Sequence, residues 1–264
     1  MEKVLENINI VLTRAKDQSV ESIKSLEELG ANVISFPTIK IVEITNTELL
    51  DKTIKNISEF NTIIFTSENA VKYFLKKIDD LNVNFEQKDF FVISIGSKTS
   101  QVCEENNILT NLQPSKATSD VLIKELKGID LSNKKIIIPC SKLTKQDQYK
   151  ELGNLAEKLV IIPIYDNVVN DVINLETEIK QINSSNIDLF IFTSPSTFNG
   201  FLEIMKIENP KDYFADKKVA VIGPVTEKAL NDFDIKPDII PNDFSMNHLI
   251  ETIKKYYSEK SFVN

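Results

Sequence analysis

Apolar residues along this chain keep two rhythms, and the rhythms alternate. Short runs of strand length are each followed by a stretch in which apolar residues return every third or fourth position. Ile8-Asn9-Ile10-Val11-Leu12 predicts a first strand ending at Thr13-Arg14. From about Asp17, Val20, Ile23, Leu26 and Leu29 share one helical face, and Gly30 marks its end. Asn32-Val33-Ile34-Ser35-Phe36 is the second strand, stopped by Pro37. Ile39-Lys40-Ile41-Val42-Glu43-Ile44 alternates with period two, the pattern of an extended connector. A helix near 47–56 leads to Thr62-Ile63-Ile64-Phe65 and the turn Thr66-Ser67. A helix carrying Ala70, Val71, Phe74 and Leu75 follows, then a strand over 90–95, a turn at Gly96 and a helix through Val102. A short strand near Leu109 is expected to reach Pro114, with a closing helix over 119–127.

The second half repeats this order. Lys134-Lys135-Ile136-Ile137-Ile138-Pro139 predicts a strand, Val160-Ile161-Ile162-Pro163 another, and 164–169 a second alternating connector. Asp188-Leu189-Phe190-Ile191-Phe192 runs into Thr193-Ser194-Pro195, with Ser194 expected as N-cap and Pro195 at the first helical position. Phe198, Phe201, Leu202 and Met205 continue at helical spacing, and Met246, Leu249, Ile250 and Ile253 mark a last helix. The likeness has a register. Ser67 and Ser194 are 127 apart (194 − 67), and Gly96 and Gly223 are too (223 − 96). Two copies of one α/β half, about 1–128 and 129–264, are the simplest account. Alternating strands and helices predict parallel sheets covered on both faces.

Composition narrows the chemistry. Across 264 residues, 42% apolar and 27% charged content is that of a globular protein. The net charge of −8 argues against nucleic acid as partner, and no apolar run approaches the roughly 20 residues of a membrane span. The start, Met1-Glu2-Lys3-Val4-Leu5-Glu6, is acidic where an export signal is basic, so a cytosolic protein is expected. Cys103 and Cys140 match neither a metal knuckle nor a redox pair, and read as buried thiols. His248 is the single histidine. Metal and cofactor chemistry are therefore not expected, and a general acid has to be Tyr, Lys, Asp or Glu. With six glycines and neither Gly-x-Gly-x-x-Gly nor a P-loop, a nucleotide site is disfavoured. Arg14 is the single arginine, placed just past a strand end, where guanidinium suits a carboxylate.

Val11-Leu12-Thr13-Arg14, Phe65-Thr66-Ser67-x-Asn69-Ala70-Val71, Ile95-Gly96-x-x-Thr99, Ile162-x-x-Tyr165, Phe192-Thr193-Ser194-Pro195-Ser196 and Ile222-Gly223-Pro224-x-Thr226 together resemble uroporphyrinogen-III synthases. The resemblance implies an α/β fold of two flavodoxin-like, doubly wound parallel-sheet domains from an internal duplication. A two-stranded connector joins them, and the cleft between them is the site. It implies a discontinuous domain of 1–37 and 166–264, an inserted domain of 42–162, and connectors at 38–41 and 163–165.

The implied reaction closes hydroxymethylbilane into a macrocycle with loss of water and inversion of the last ring, without a cofactor. Positioning supplies the main barrier reduction, roughly 7–11 kcal/mol in favourable cases. Tyr165 is the implied catalytic residue, its phenol donating to the departing hydroxyl. Arg14, Ser67, Ser97, Thr99, Ser194, Ser196, Gly223 and Thr226 are the expected substrate-binding positions, at turns whose helix N-termini suit carboxylates. Each hydroxyl has the alternative reading of a cap serving its own helix. Where family members often carry basic residues after Ile138-Pro139-Cys140-Ser141, this chain offers Lys142 and Lys145, with Cys140 near the cleft but inert. A monomer is expected, with transient contact to the upstream bilane-forming enzyme. A non-catalytic two-domain protein closing on a small anion is the alternative.

Overall fold

A computed structural model describes residues 3–116 and 118–261. Among the described residues, nine strands form two sheets: β1 (Asn9–Leu12), β2 (Asn32–Ser35), β3 (Ile39–Glu43), β4 (Thr62–Phe65), β5 (Phe91–Ser94), β6 (Lys135–Ser141), β7 (Lys158–Val169), β8 (Leu189–Phe192) and β9 (Lys218–Val221). One sheet has the order β2-β1-β8-β9 and the other β3-β7-β6-β4-β5. Within β2-β1-β8-β9 and within β7-β6-β4-β5, every pairing is parallel. The chain divides into two compact units, 1–40 with 168–264, and 41–167.

The strands are short because both faces are covered. Ile63, Ile64 and Phe65 of β4, and Phe190, Ile191 and Phe192 of β8, have no exposed surface, as expected of a parallel sheet flanked by helices. In the discontinuous unit, Phe36, Phe190, Phe192, Phe198, Phe201 and Phe214 fill one side of the sheet. Their rings meet largely edge to face, for example Phe36 with Phe201 at 5.6 Å. In the contiguous unit, Phe65, Phe74 and Phe90 do the same on one side, and Leu122, Leu126 and Ile138 fill the other.

The two sheets share a register. Asn9 pairs with Asn32 as Lys135 pairs with Lys158, positions 126 apart (135 − 9, 158 − 32). Thr62 pairs with Phe91 as Leu189 pairs with Lys218, 127 apart (189 − 62, 218 − 91). Side chains follow the pattern. Asn61 Oδ1 accepts the Lys135 N–H at 3.0 Å, and Asp188 Oδ2 accepts the Asn9 N–H at 2.9 Å. Each sheet thus mixes the sequence halves: β1 and β2 lie with β8 and β9, and β3, β4 and β5 with β6 and β7.

Three expectations need correction. Val20 is 65% exposed; Ala15, Ser19, Ser22 and Leu26 form the buried face of the helix Lys16–Glu28. Ser19 is buried without cost because its hydroxyl donates to the Ala15 carbonyl at 2.8 Å. No strand forms near Leu109, which is 68% exposed. There the chain makes one bridge, Ile93 to Leu112, before Pro114; its counterpart is Ala220 to Ile239. Pro163 does not end a strand: β7 runs through it, and its pairing with β6 shifts register just after it, where Cys140 pairs with Pro163 and Ser141 with Tyr165. Both thiols are buried and free, as expected, Cys140 within β6 and Cys103 in the helix Ser97–Glu105.

Candidate active site

Parallel strands put their carboxyl ends along one edge of a sheet, where helices begin. In the contiguous unit that edge carries Thr66-Ser67 after β4, Ile95-Gly96 after β5, Lys142 after β6, and Tyr165 within β7. In the discontinuous unit it carries Thr13-Arg14 after β1, Thr193-Ser194 after β8 and Ile222-Gly223 after β9.

Ser67 caps the helix Glu68–Asp80: its Oγ accepts the Ala70 N–H at 3.1 Å. The same oxygen lies 3.0 Å from the phenol oxygen of Tyr165. Either oxygen can donate in this bond, and with the Ser67 proton directed at Tyr165 the phenol proton is available to a ligand. Tyr165 is only 6% exposed, and burial raises its pKa above 10, partly offset by the Ser67 bond. The phenol therefore stays protonated at neutral pH and is a hydrogen-bond donor. Its ring stacks on Tyr73, centroids 5.6 Å apart and planes at 23°, and the Tyr73 hydroxyl donates to the Ile41 carbonyl of β3 at 3.0 Å.

Lys142 is exposed and pairs with Asp166 at 3.0 Å, while its N–H donates to the Tyr165 carbonyl at 2.9 Å. Lys145 is exposed. At the neighbouring turn, Gly96 has φ of 90°, a left-handed conformation that favours glycine. Ser97 is exposed at the first position of the helix Ser97–Glu105, and Thr99 is buried.

In the discontinuous unit, Ser194 caps the helix Pro195–Met205 with a capping box: Ser194 Oγ accepts the Thr197 N–H, and Thr197 Oγ1 accepts the Ser194 N–H, both at 3.2 Å. Ser196 Oγ is 2.9 Å from Ser194 Oγ. Half-buried Arg14 donates from Nε to Gln18 Oε1 at 3.2 Å. Gly223 precedes the helix Pro224–Asn231, in which Thr226 is buried. The structure thus brings together Ser67 with Tyr165, and Ser194 with Ser196.

Sequence reasoning missed Tyr73, Asp166, Thr38 and Gly200. Thr38 is fully buried and its hydroxyl donates to the Thr197 carbonyl at 2.9 Å, against Gly200, where a Cβ would lie 3.0 Å from the Thr38 carbonyl oxygen. Carrying the 127-residue offset from Ser67/Ser194 into the helices sets Tyr73 beside Gly200 in register (200 − 73), the signal that would have found both.

The fold defines an α/β protein with parallel-rich sheets, with the candidate groups at the carboxyl edges of the strands. The chain belongs to the uroporphyrinogen-III synthase family: the family model described as Uroporphyrinogen-III synthase HemD matches residues 21–251. The uroporphyrinogen-III synthase of Chlorobaculum parvum is 26% identical over 89% of this chain and 93% of its own length. A putative uroporphyrinogen-III synthase of Methanocaldococcus jannaschii is 27% identical over 94% of this chain and 98% of its own. The fold is also that of the crystal structure of uroporphyrinogen-III synthetase from Helicobacter pylori, with TM-score 0.65 and 15% identity over 94% of this chain and 99% of that one. A mutant uroporphyrinogen III synthase from Thermus thermophilus gives TM-score 0.62 at 13% identity, covering 96% of this chain and 99% of that one.

Proposed function

We propose that this chain carries out the reaction of its family, closing hydroxymethylbilane to uroporphyrinogen III as a cyclising lyase of tetrapyrrole biosynthesis. The carrying observation at the site is the buried, protonated phenol of Tyr165 held by the helix cap Ser67. Loss of the substrate hydroxyl as water needs a proton, and a phenol whose proton is not committed to Ser67 supplies it. The remaining task is to bring the substituted carbon of the last ring to the reacting carbon before the unsubstituted one. That is work of orientation. The substrate's carboxylates are matched by N–H groups at the N-termini of the helices starting at Ser97, Pro195 and Pro224, with Arg14, Ser67, Ser97, Thr99, Ser194, Ser196, Gly223 and Thr226 as the binding positions.

The same reading derives the fold from an internal duplication in which the copies exchanged their first strand pairs, supported by the common 126 (135 − 9) and 127 (189 − 62) registers. It has the enzyme act without a cofactor, as a cytosolic monomer that takes its substrate from the upstream bilane-forming enzyme. A coupled assay tests the function: the bilane is generated in situ, this protein is added, and the oxidised porphyrins are separated by isomer. Mainly type III product in proportion to protein is expected. Type I product at the blank rate from folded protein overturns the reading.

A further inference from the structure

Tyr73 reaches outside its own helix in two ways. Its ring stacks on Tyr165 at 5.6 Å, nearly parallel, and its hydroxyl is tied to the Ile41 carbonyl at 3.0 Å. The Tyr165 ring is thus held against one face while its oxygen is held at 3.0 Å by Ser67. These two restraints fix the plane of the ring and the place of its oxygen. An ordinary core residue at this helical position needs no hydroxyl, and the counterpart in the other unit, Gly200, has no side chain at all. We propose that Tyr73 is the positioning residue for the Tyr165 phenol, held in place by β3 through the Ile41 carbonyl. The inference rests on Tyr165 acting on substrate as set out above.

A double-mutant cycle tests it, read as kcat and KM in the coupled assay with circular dichroism as the check on folding. Tyr73→Leu removes the ring and its anchor. It is expected to lower kcat about 10-fold with KM within about twofold, since loss of alignment acts on the reacting geometry and not on carboxylate binding. Tyr73→Phe keeps the ring and loses only the Ile41 bond, so its loss in kcat is smaller, about threefold. In a Tyr165→Phe background neither substitution is expected to lower kcat further, because the proton being aimed is gone. If Tyr73→Leu does not fold, Tyr73→Phe carries the cycle alone. Losses that add fully to that of Tyr165→Phe overturn the positioning role and leave Tyr165 in place. A silent Tyr165→Phe in an active enzyme overturns the role of Tyr165 and this inference with it.

Discussion

The two units begin from one register and end in different places. Gly200 in the discontinuous unit occupies the position of Tyr73 (200 − 73 = 127), and Thr38, which packs against Gly200, that of Tyr165 (165 − 38 = 127). With a glycine in the helix, Thr38 approaches the backbone closely enough for its hydroxyl to reach Thr197, and the junction is sealed by hydrogen bonds. With a tyrosine there, the same junction holds two stacked rings and an oxygen that meets a helix cap. One scaffold therefore gives a closed structural joint in one unit and a polar group with a proton to give in the other. The chemistry follows side-chain volume at two positions and not the fold, which is common to both.

The largest expected effect strikes this difference directly. Tyr165→Phe is expected to lower kcat about 10²-fold, whereas Thr38→Val, which removes the hydroxyl at the matching position, leaves it within about twofold; kcat from the coupled assay decides. The sign of the pKa shift adds a condition. Burial raises the Tyr165 pKa, so the protonated donor persists past pH 10, and no alkaline limb below that value is expected from this group.

Gly200→Ala places a methyl group 3.0 Å from the Thr38 carbonyl and is expected to cost about 1–3 kcal/mol in urea unfolding, with kcat retained. Ser67→Ala and Ser194→Ala each remove a cap and are expected to cost about 1 kcal/mol of stability. They differ in kinetics: Ser67→Ala lowers kcat by releasing Tyr165, and Ser194→Ala raises KM. Equal kinetic effects in the two variants would dissolve the contrast between the units.

What the sequence made legible was local or repeated. Strands such as Ile63-Ile64-Phe65, the Ser67 and Ser194 caps and the Gly96 turn declare themselves in a few adjacent residues. The common register made each half a check on the other. Tyr165 became a candidate only through resemblance, since nothing adjacent to it shows that its oxygen meets Ser67, 98 residues away. Tyr73 was passed over because an aromatic residue on a helix reads as core, and its partners lie on two other strands. Pro163 misled because β7 continues past it through a register shift against β6, a strand distant in sequence, and Val20 because two buried serines replaced apolar residues on the packed face.

The interleaved strand order also dictates a timetable. β1 and β2 leave the ribosome first, but β8, which completes their sheet, begins 154 residues after β2 ends (189 − 35). At usual rates of synthesis that interval is on the order of ten seconds. Residues 41–167 are contiguous and can fold within it, while Ile10, Val11 and Leu12 wait with their partner strand unmade. Pulse proteolysis of a ribosome-stalled chain ending near residue 210 is expected to find 41–167 protected and the first 40 residues cut. The newborn protein thus matures from the middle outward, and its oldest segment is the last to be safe.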